Sequence, residues 1–132
     1  VLTAAARRIA MTVDERGMLT RLGGDEFIAV IQLPPIGDHR EFARSIAEEI
    51  RDAMEKVFVV DGISVDIGCS VGLALVPDDA TSLAGAVVVA DAALYEAKRA
   101  GRNRVIENAP QLASEAYGSE DEDHSRWLVS ST

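Results

Sequence analysis

Apolar residues recur at helical spacing in three segments of the chain. Residues 2–13 keep their apolar side chains on one face, which predicts a first helix. Asp38, with Glu41 three residues later, has the spacing of a capping box and predicts the start of a second helix. A third helix is predicted over about 82–100, and Gly101 suits the left-handed residue that ends it. The second helix has an apolar face made of Phe42, Ile46, Ile50, Met54 and Val57.

Strand-like patterns lie between these helices. Residues 18–22 and 27–33 are two β-prone runs, and the glycines and acids at 23–26 between them predict a hairpin. Residues 57–60 form another short run, which is followed by Asp61-Gly62, a strong hairpin signal.

A long alternating run follows that second turn. Residues 63–75 alternate apolar and polar positions, which predicts one strand with a core side and a solvated or helix-covered side. Residues 105–106 are predicted to add an edge strand. The resulting order, α-β-β-α-β-β-α-β, indicates an antiparallel-rich α+β domain. The polar side consists of Ser64, Asp66, Gly68, Ser70 and Gly72.

Composition narrows the class of protein. The 132 residues contain 13 Lys and Arg against 22 Asp and Glu, a net charge of −9. This charge argues against broad binding to nucleic acid or to anionic lipid. One cysteine, Cys69, excludes an internal disulfide, and no apolar run has the length of a membrane span. We therefore expect a cytoplasmic segment without direct membrane contact, and we expect residues 108–132 to be a disordered acidic tail.

The tip of the first hairpin is the first candidate site. Asp25 and Glu26 place two carboxylates beside Gly23 and Gly24. An ordinary solvated turn has this composition too, because turns favour Gly and Asp. The alternative is functional: paired carboxylates supply the hard oxygen ligands that Mg²⁺ prefers, and glycines let a nucleotide approach the backbone closely.

The last helix carries the second candidate. Asp91, Tyr95, Lys98 and Arg102 are spaced to share one helix face. Charges on a helix are commonly just its solvated surface. Two cations four residues apart near a helix end could instead bind a polyphosphate.

The two candidates together resemble one family. Residues 21–27, Arg-Leu-Gly-Gly-Asp-Glu-Phe, are followed by Ala90–Lys98 and by Gly101–Arg104, in the order found in the GGDEF domain of diguanylate cyclases. The resemblance covers residues 1–107 and implies a ferredoxin-like core similar to the palm of nucleotide cyclases and polymerases.

This resemblance also implies an activity. Diguanylate cyclases are nucleotidyltransferases that condense two GTP into cyclic di-GMP and release pyrophosphate. They use Mg²⁺, or Mn²⁺ in its place, and they act as a homodimer of GGDEF domains. Asp25 and Glu26 would be the catalytic and metal-binding residues. The substrate-binding residues would be Gly23, Gly24, Lys98 and Arg102.

The chain departs from the family pattern at its start. The family has a first strand with a further metal-binding Asp, and then residues that contact guanine, whereas Val1 matches a point after both. We therefore expect an amino-terminally truncated GGDEF domain that is inactive alone. We expect it to come from a longer, active diguanylate cyclase. The upstream region of that longer protein could anchor it to a membrane. A non-catalytic GGDEF-like module that binds nucleotide or a protein is the alternative.

Overall fold

A computed structural model describes residues 2–23, 25–107 and 125–131. All three predicted helices are present. None of the helices in these residues is long and apolar enough to cross a membrane. They are α1 (Leu2–Val13), α2 (His39–Glu55) and α3 (Leu83–Arg99).

The described residues also form seven strands in two sheets. A five-stranded sheet has the order β1-β2-β7-β5-β6, in which β5 and β6 are parallel and the other neighbours are antiparallel. A separate hairpin pairs β3 with β4. The predicted antiparallel-rich α+β class is therefore confirmed. The strands are β1 (Gly17–Gly23), β2 (Glu26–Gln32), β3 (Phe58–Val60), β4 (Ile63–Val65), β5 (Ser70–Leu75), β6 (Val105–Glu107) and β7 (Ser125–Ser131).

Helices cover both faces of the large sheet. One core cluster joins α1 and α2 to alternate residues of the central strands, such as Phe27 and Leu73. A second cluster joins α3 to the residues that point the other way, such as Ile28 and Ala74. Because both faces are covered, every residue of β5 is buried.

Side-chain caps fix where the helices begin. The Asp38 carboxylate accepts a hydrogen bond from the Glu41 backbone N–H at 3.1 Å, as the capping spacing predicts. The Ser82 hydroxyl accepts one from the Gly85 N–H at 3.0 Å and starts α3. One predicted core residue is wrong: Val57 lies past the end of α2 and is 52% exposed.

The predicted long strand over 63–75 is interrupted. Residues 63–65 belong to the small hairpin, and the strand of the large sheet begins at Ser70. Gly68 has φ +94°, which an extended strand does not accommodate. The strand is therefore interrupted there, although the alternation of apolar and polar residues in the sequence continues across Gly68. The polar side of the alternating run is predicted to be either solvated or covered by a helix. In β5 the polar positions are covered by α3.

The carboxyl-terminal segment differs most from expectation. Residues 125–131 were expected to lie in a disordered tail, but they form β7, paired along its length with β2 on one side and β5 on the other. Its three consecutive apolar residues are too few to give a periodic signal, and pairing along both edges stabilises it. The rest of the predicted tail, residues 108–124, lies outside the described residues.

An ion-pair cluster holds the loop before α3. Arg40 on α2 contacts Asp79 at 2.7 Å and Glu107 at 2.8 Å. The hydrogen bonds to Asp79 raise the pKa of Arg40 above its usual value, despite the opposing effect of burial. Asp79 also accepts the Leu75 backbone N–H at 2.8 Å. The chain leaving β5 is thereby tied to α2 immediately before α3 begins.

Gly72 determines how closely α3 approaches the sheet. A Cβ at this position would lie 2.0 Å from the Ala90 carbonyl oxygen and 2.5 Å from the Leu94 nitrogen. Both atoms belong to helix backbone, which cannot move aside without displacing α3. We expect Gly72→Ala to lower the free energy of unfolding by about 3 kcal/mol, measured by urea denaturation.

Gly62→Ala is the matched control for that substitution. Gly62 has φ +77° but open space around its Cβ position, so alanine there introduces backbone strain alone, about 1 kcal/mol. Equal losses from the two variants would contradict the assigned role of Gly72.

Candidate functional site

The first hairpin presents its turn at one end of the large sheet. Gly23 ends β1 and is paired with Glu26, the first residue of β2, after a shift in register at Arg21. Gly23 has φ +144° and nothing within 4 Å of its Cβ position, so backbone conformation favours glycine here. Asp25 is exposed in the turn, and Gly24 lies outside the described residues.

The structure brings the two sequence motifs together. The Lys98 Nζ on α3 lies 4.0 Å from the Glu26 Oε1 at the start of β2. Both side chains keep access to solvent, with exposed fractions of 28% and 41%. A cation from the last helix and a carboxylate from the hairpin therefore share one partly open site, as a polyphosphate site would require.

Asp91 adds a second carboxylate to this electrostatic environment. Partial burial raises the pKa of the Asp91 carboxyl above its usual value, and the charge of Glu26 raises it further. The charge of Lys98 acts in the opposite direction. The charge of Lys98 thus opposes the effect of Glu26 on Asp91. Asp91 therefore belongs to the site environment although its helix position alone assigns it no role.

Arg102 does not share a helix face with Lys98. The helix ends at Arg99, and Arg102 has φ +64° in the following turn. Its backbone N–H donates to the Ala97 carbonyl at 2.9 Å, which closes the end of the helix. The predicted helical spacing is therefore wrong, because Gly101 ends the helix before position 102. The Arg102 side chain is exposed in this turn.

Asn103 is a positioning residue that the sequence reasoning missed. Its backbone N–H donates to the buried Ser70 hydroxyl at 3.1 Å, and its side-chain amide donates to Glu55 Oε1 at 2.7 Å. These bonds attach the turn that carries Arg102 to β5 and α2. The sequence signal for this turn is local, because Asn tolerates the left-handed backbone conformation that Asn103 adopts, with φ +50°.

The residues fit a magnesium ion that is held jointly with a phosphate ligand. No group of three or more His, Cys, Asp or Glu that could hold a metal occurs within the described ranges. Mg²⁺ commonly takes one or two protein carboxylates and completes its shell with water and substrate phosphates. Asp25 and Glu26, adjacent in sequence and accessible, supply that type of donor set.

Fold and site together define an α+β domain in which a lysine of the last helix lies beside an acidic hairpin. The model of the family described as "Diguanylate cyclase, GGDEF domain" matches residues 1–104. The chain belongs to the GGDEF domain family.

Relatives of known description share this segment. The bifunctional diguanylate cyclase/cyclic di-GMP phosphodiesterase MucR of Pseudomonas aeruginosa is 34% identical over 103 residues, which cover 78% of this chain and 14% of that protein. Diguanylate cyclase TpbB of the same species is 35% identical over 119 residues, covering 87% of this chain and 27% of that protein. The chain thus spans a small part of the length of these relatives.

A solved structure confirms the fold. The crystal structure of the GGDEF domain of YfiN (TpbB) from Pseudomonas aeruginosa superposes with a TM-score of 0.71 at 35% identity. The match covers 82% of this chain and 66% of that one. The chain therefore has the expected GGDEF fold and belongs to the cyclic di-GMP signalling family.

The raised pKa of Asp91 leads to a prediction about stability. An acid with a raised folded-state pKa costs stability once pH exceeds its unfolded pKa. We expect Asp91→Asn to raise the free energy of unfolding at pH 7 and to have no effect at pH 3, where both states hold the proton. The gain is at most about 0.5 kcal/mol because solvent screens this carboxylate, which is only partly buried.

Urea denaturation at the two pH values measures this effect. Asp78→Asn, on the exposed loop before α3, is the control for removing a negative charge from an acidic protein. An equal gain from both variants would assign the effect to net charge rather than to the neighbourhood of Glu26.

Proposed function

We propose that this domain binds GTP with Mg²⁺ and serves as the catalytic domain of a diguanylate cyclase. The observation that carries the proposal is the 4.0 Å approach of Lys98 to Glu26. It joins the hairpin motif and the helix motif in one site that offers a cation for phosphate and carboxylates for a metal.

Each proposed role follows from the chemistry of the side chain. Asp25 and Glu26 would hold Mg²⁺, which when bound polarises the α-phosphoryl group. Lys98 would bind the terminal phosphates of GTP as a mobile point charge, and exposed Arg102 would bind them through its planar guanidinium. Gly23 leaves open space beside the turn, so a nucleotide could lie against the backbone.

The Lys98–Glu26 pair suits a site that exchanges partners. Ion pairs that stay accessible to solvent contribute roughly 0–1 kcal/mol, so little is lost when the pair separates. A polyphosphate carries several charges and would compete effectively for Lys98. Glu26, once released, would be free to accept the metal, so binding of the two ligands would be mutually supportive.

Turnover would require two domains. In the proposed reaction the 3′-oxygen of each GTP bonds to the α-phosphorus of the other, and the bond from that phosphorus to pyrophosphate breaks. The proton of each 3′-hydroxyl is lost, and Asp25 would assist its removal. Since one domain holds one GTP, two such sites must face each other, which makes a homodimer the proposed active form.

A nucleotide-binding module without turnover is the second candidate for the 132 residues alone. The strand between β2 and β5 is β7, whose sequence contains no Asp or Glu. The family resemblance places a further metal-binding Asp on a strand that precedes the matched residues. We therefore propose that these 132 residues bind nucleotide and that turnover needs the longer protein.

Nucleotide binding is the first test. We expect the 132-residue chain to bind GTP in the presence of Mg²⁺, and Lys98→Met to weaken binding about 10–100-fold, the value of one charge-assisted hydrogen bond. Isothermal titration calorimetry measures both. Lys56→Met is the matched control, because Lys56 is the other lysine of the chain and is exposed. Equal affinity in the two variants would remove Lys98 from the site.

Turnover is tested separately by detecting cyclic di-GMP chromatographically. We expect none from the 132 residues with GTP and Mg²⁺. We expect production by the natural full-length protein, and a loss of at least about 100-fold in its Asp25→Ala variant, because a metal ligand is removed. Full activity in that variant would contradict the proposed role of Asp25.

A further inference from the structure

The turn after α3 places three consecutive residues in left-handed backbone. Gly101, Arg102 and Asn103 have φ of +120°, +64° and +50°. Glycine adopts such a conformation freely, but the side chains of Arg102 and Asn103 make it costly in free energy. A costly backbone conformation persists only where the surrounding structure holds it in place. We call residues 101–104 the arginine turn.

Both ends of the arginine turn are attached to the rest of the domain. The Arg102 N–H donates to the Ala97 carbonyl at 2.9 Å, which ties the start of the turn to α3. The Arg102 carbonyl accepts from the Arg104 Nε at 3.2 Å. The Val71 N–H donates to the Arg104 carbonyl at 2.9 Å, which ties the end of the turn to β5. The backbone of Arg102 is therefore fixed while its side chain stays exposed.

Asn103 supplies the contacts for the middle of the turn. Its backbone N–H donates at 3.1 Å to the hydroxyl of Ser70, a buried residue of β5. Its side-chain amide donates at 2.7 Å to the Oε1 of Glu55, the last residue of α2. A hydrogen bond to a carboxylate is roughly twice as strong as one between neutral groups. Two elements other than α3 thus hold the costly part of the turn.

The Glu55 carboxylate is itself oriented before it contacts Asn103. The Arg51 Nη1, one helical turn earlier on α2, donates to the same Oε1 at 3.0 Å. Orientation by Arg51 lowers the entropy that the carboxylate loses when it accepts from Asn103. A continuous series of contacts therefore leads from α2 through Asn103 to the backbone of Arg102.

We propose that Glu55 and Ser70 are positioning residues of the polyphosphate site, and that they act on Arg102 through Asn103. This inference rests on the proposed function, in which Arg102 binds the terminal phosphates of GTP. Glu55 and Ser70 would not touch the nucleotide. They would raise the fraction of molecules in which the Arg102 backbone already has its binding conformation, and the apparent affinity for GTP varies in proportion to that fraction.

Isothermal titration calorimetry of the 132-residue chain with GTP and Mg²⁺ tests this inference. We expect Arg102→Met to weaken binding about 10–100-fold, the value of one charge-assisted hydrogen bond. We expect Asn103→Ala and Glu55→Ala each to weaken binding at least about fivefold, because fewer molecules hold the turn. In the Arg102→Met background the same two substitutions should change the affinity less than about twofold, because the group that they position is gone.

Glu49→Ala is the matched control for Glu55→Ala. Glu49 lies on the same helix, also accepts from an arginine, Arg16, and has an exposed side-chain fraction of 50% against 45% for Glu55. We expect this variant to keep the GTP affinity of the unchanged chain. Glu55→Gln retains an oxygen that can accept from the Asn103 amide, so it should restore most of the affinity that Glu55→Ala loses. This rescue distinguishes a positioning hydrogen bond from the removal of one negative charge.

Hydrogen exchange without nucleotide gives a second readout. In Glu55→Ala we expect the backbone amides of Arg102 and Asn103 to exchange at least about tenfold faster, while the amides within α3 stay protected. Unchanged exchange of these two amides would overturn the proposal, because the turn would then keep its conformation without Glu55. An equal loss of protection throughout α3 would also overturn it, because the effect would then be on the fold.

The titrations separate failure of this inference from failure of the proposed function. If the chain does not bind GTP, or if Arg102→Met leaves the affinity unchanged, the proposed phosphate contact is wrong and the inference falls with it. If Arg102→Met weakens binding but Asn103→Ala and Glu55→Ala do not, the phosphate contact stands and the positioning role is wrong. The positioning role is also wrong if the losses in these two variants persist undiminished in the Arg102→Met background.

Discussion

The contact between α3 and β5 at Gly72 is the constraint on which the candidate site depends. The helix backbone lies so close to the strand that a methyl group at Gly72 would fall inside the van der Waals radius of Ala90. Close packing of helix backbone on strand backbone leaves no room for lateral displacement. Lys98, two turns beyond Ala90, is consequently held at a fixed distance from the hairpin that carries Glu26.

The electrostatics of the site follow from that packing. Partial burial and the charge of Glu26 raise the pKa of the Asp91 carboxyl, and the charge of Lys98, which lies beside Glu26, acts in the opposite direction. A nearby cation, solvent access and a phosphate-bound metal are three ways to stabilise neighbouring carboxylates. The first two are present in the protein itself. In the proposed function, the surplus negative charge of this site would favour Mg²⁺, and the arrival of the metal would leave Lys98 available for phosphate.

Local patterns predicted the helices, the first hairpin and the residues at its turn. Asp38 and Ser82 occupy the starts of α2 and α3, because helix caps depend on neighbouring residues alone. The approach of Lys98 to Glu26 required the family resemblance, since no local rule relates residues on a hairpin and a distant helix. The break at Gly68 was missed because the apolar periodicity continues across a residue whose backbone cannot follow it. The end of the last helix at Gly101 was predicted, and the error there was to place Arg102, beyond that end, on the helix face.

The strand β7 shows why the remaining part of the fold could not be predicted from the sequence. A strand is recognised by alternation or by an apolar run, and Ser125–Ser131 has neither along its full length. Its position is set by the two edges that β2 and β5 would otherwise present, which are properties of the rest of the sheet. Such a strand is specified by its neighbours in the sheet rather than by its own sequence.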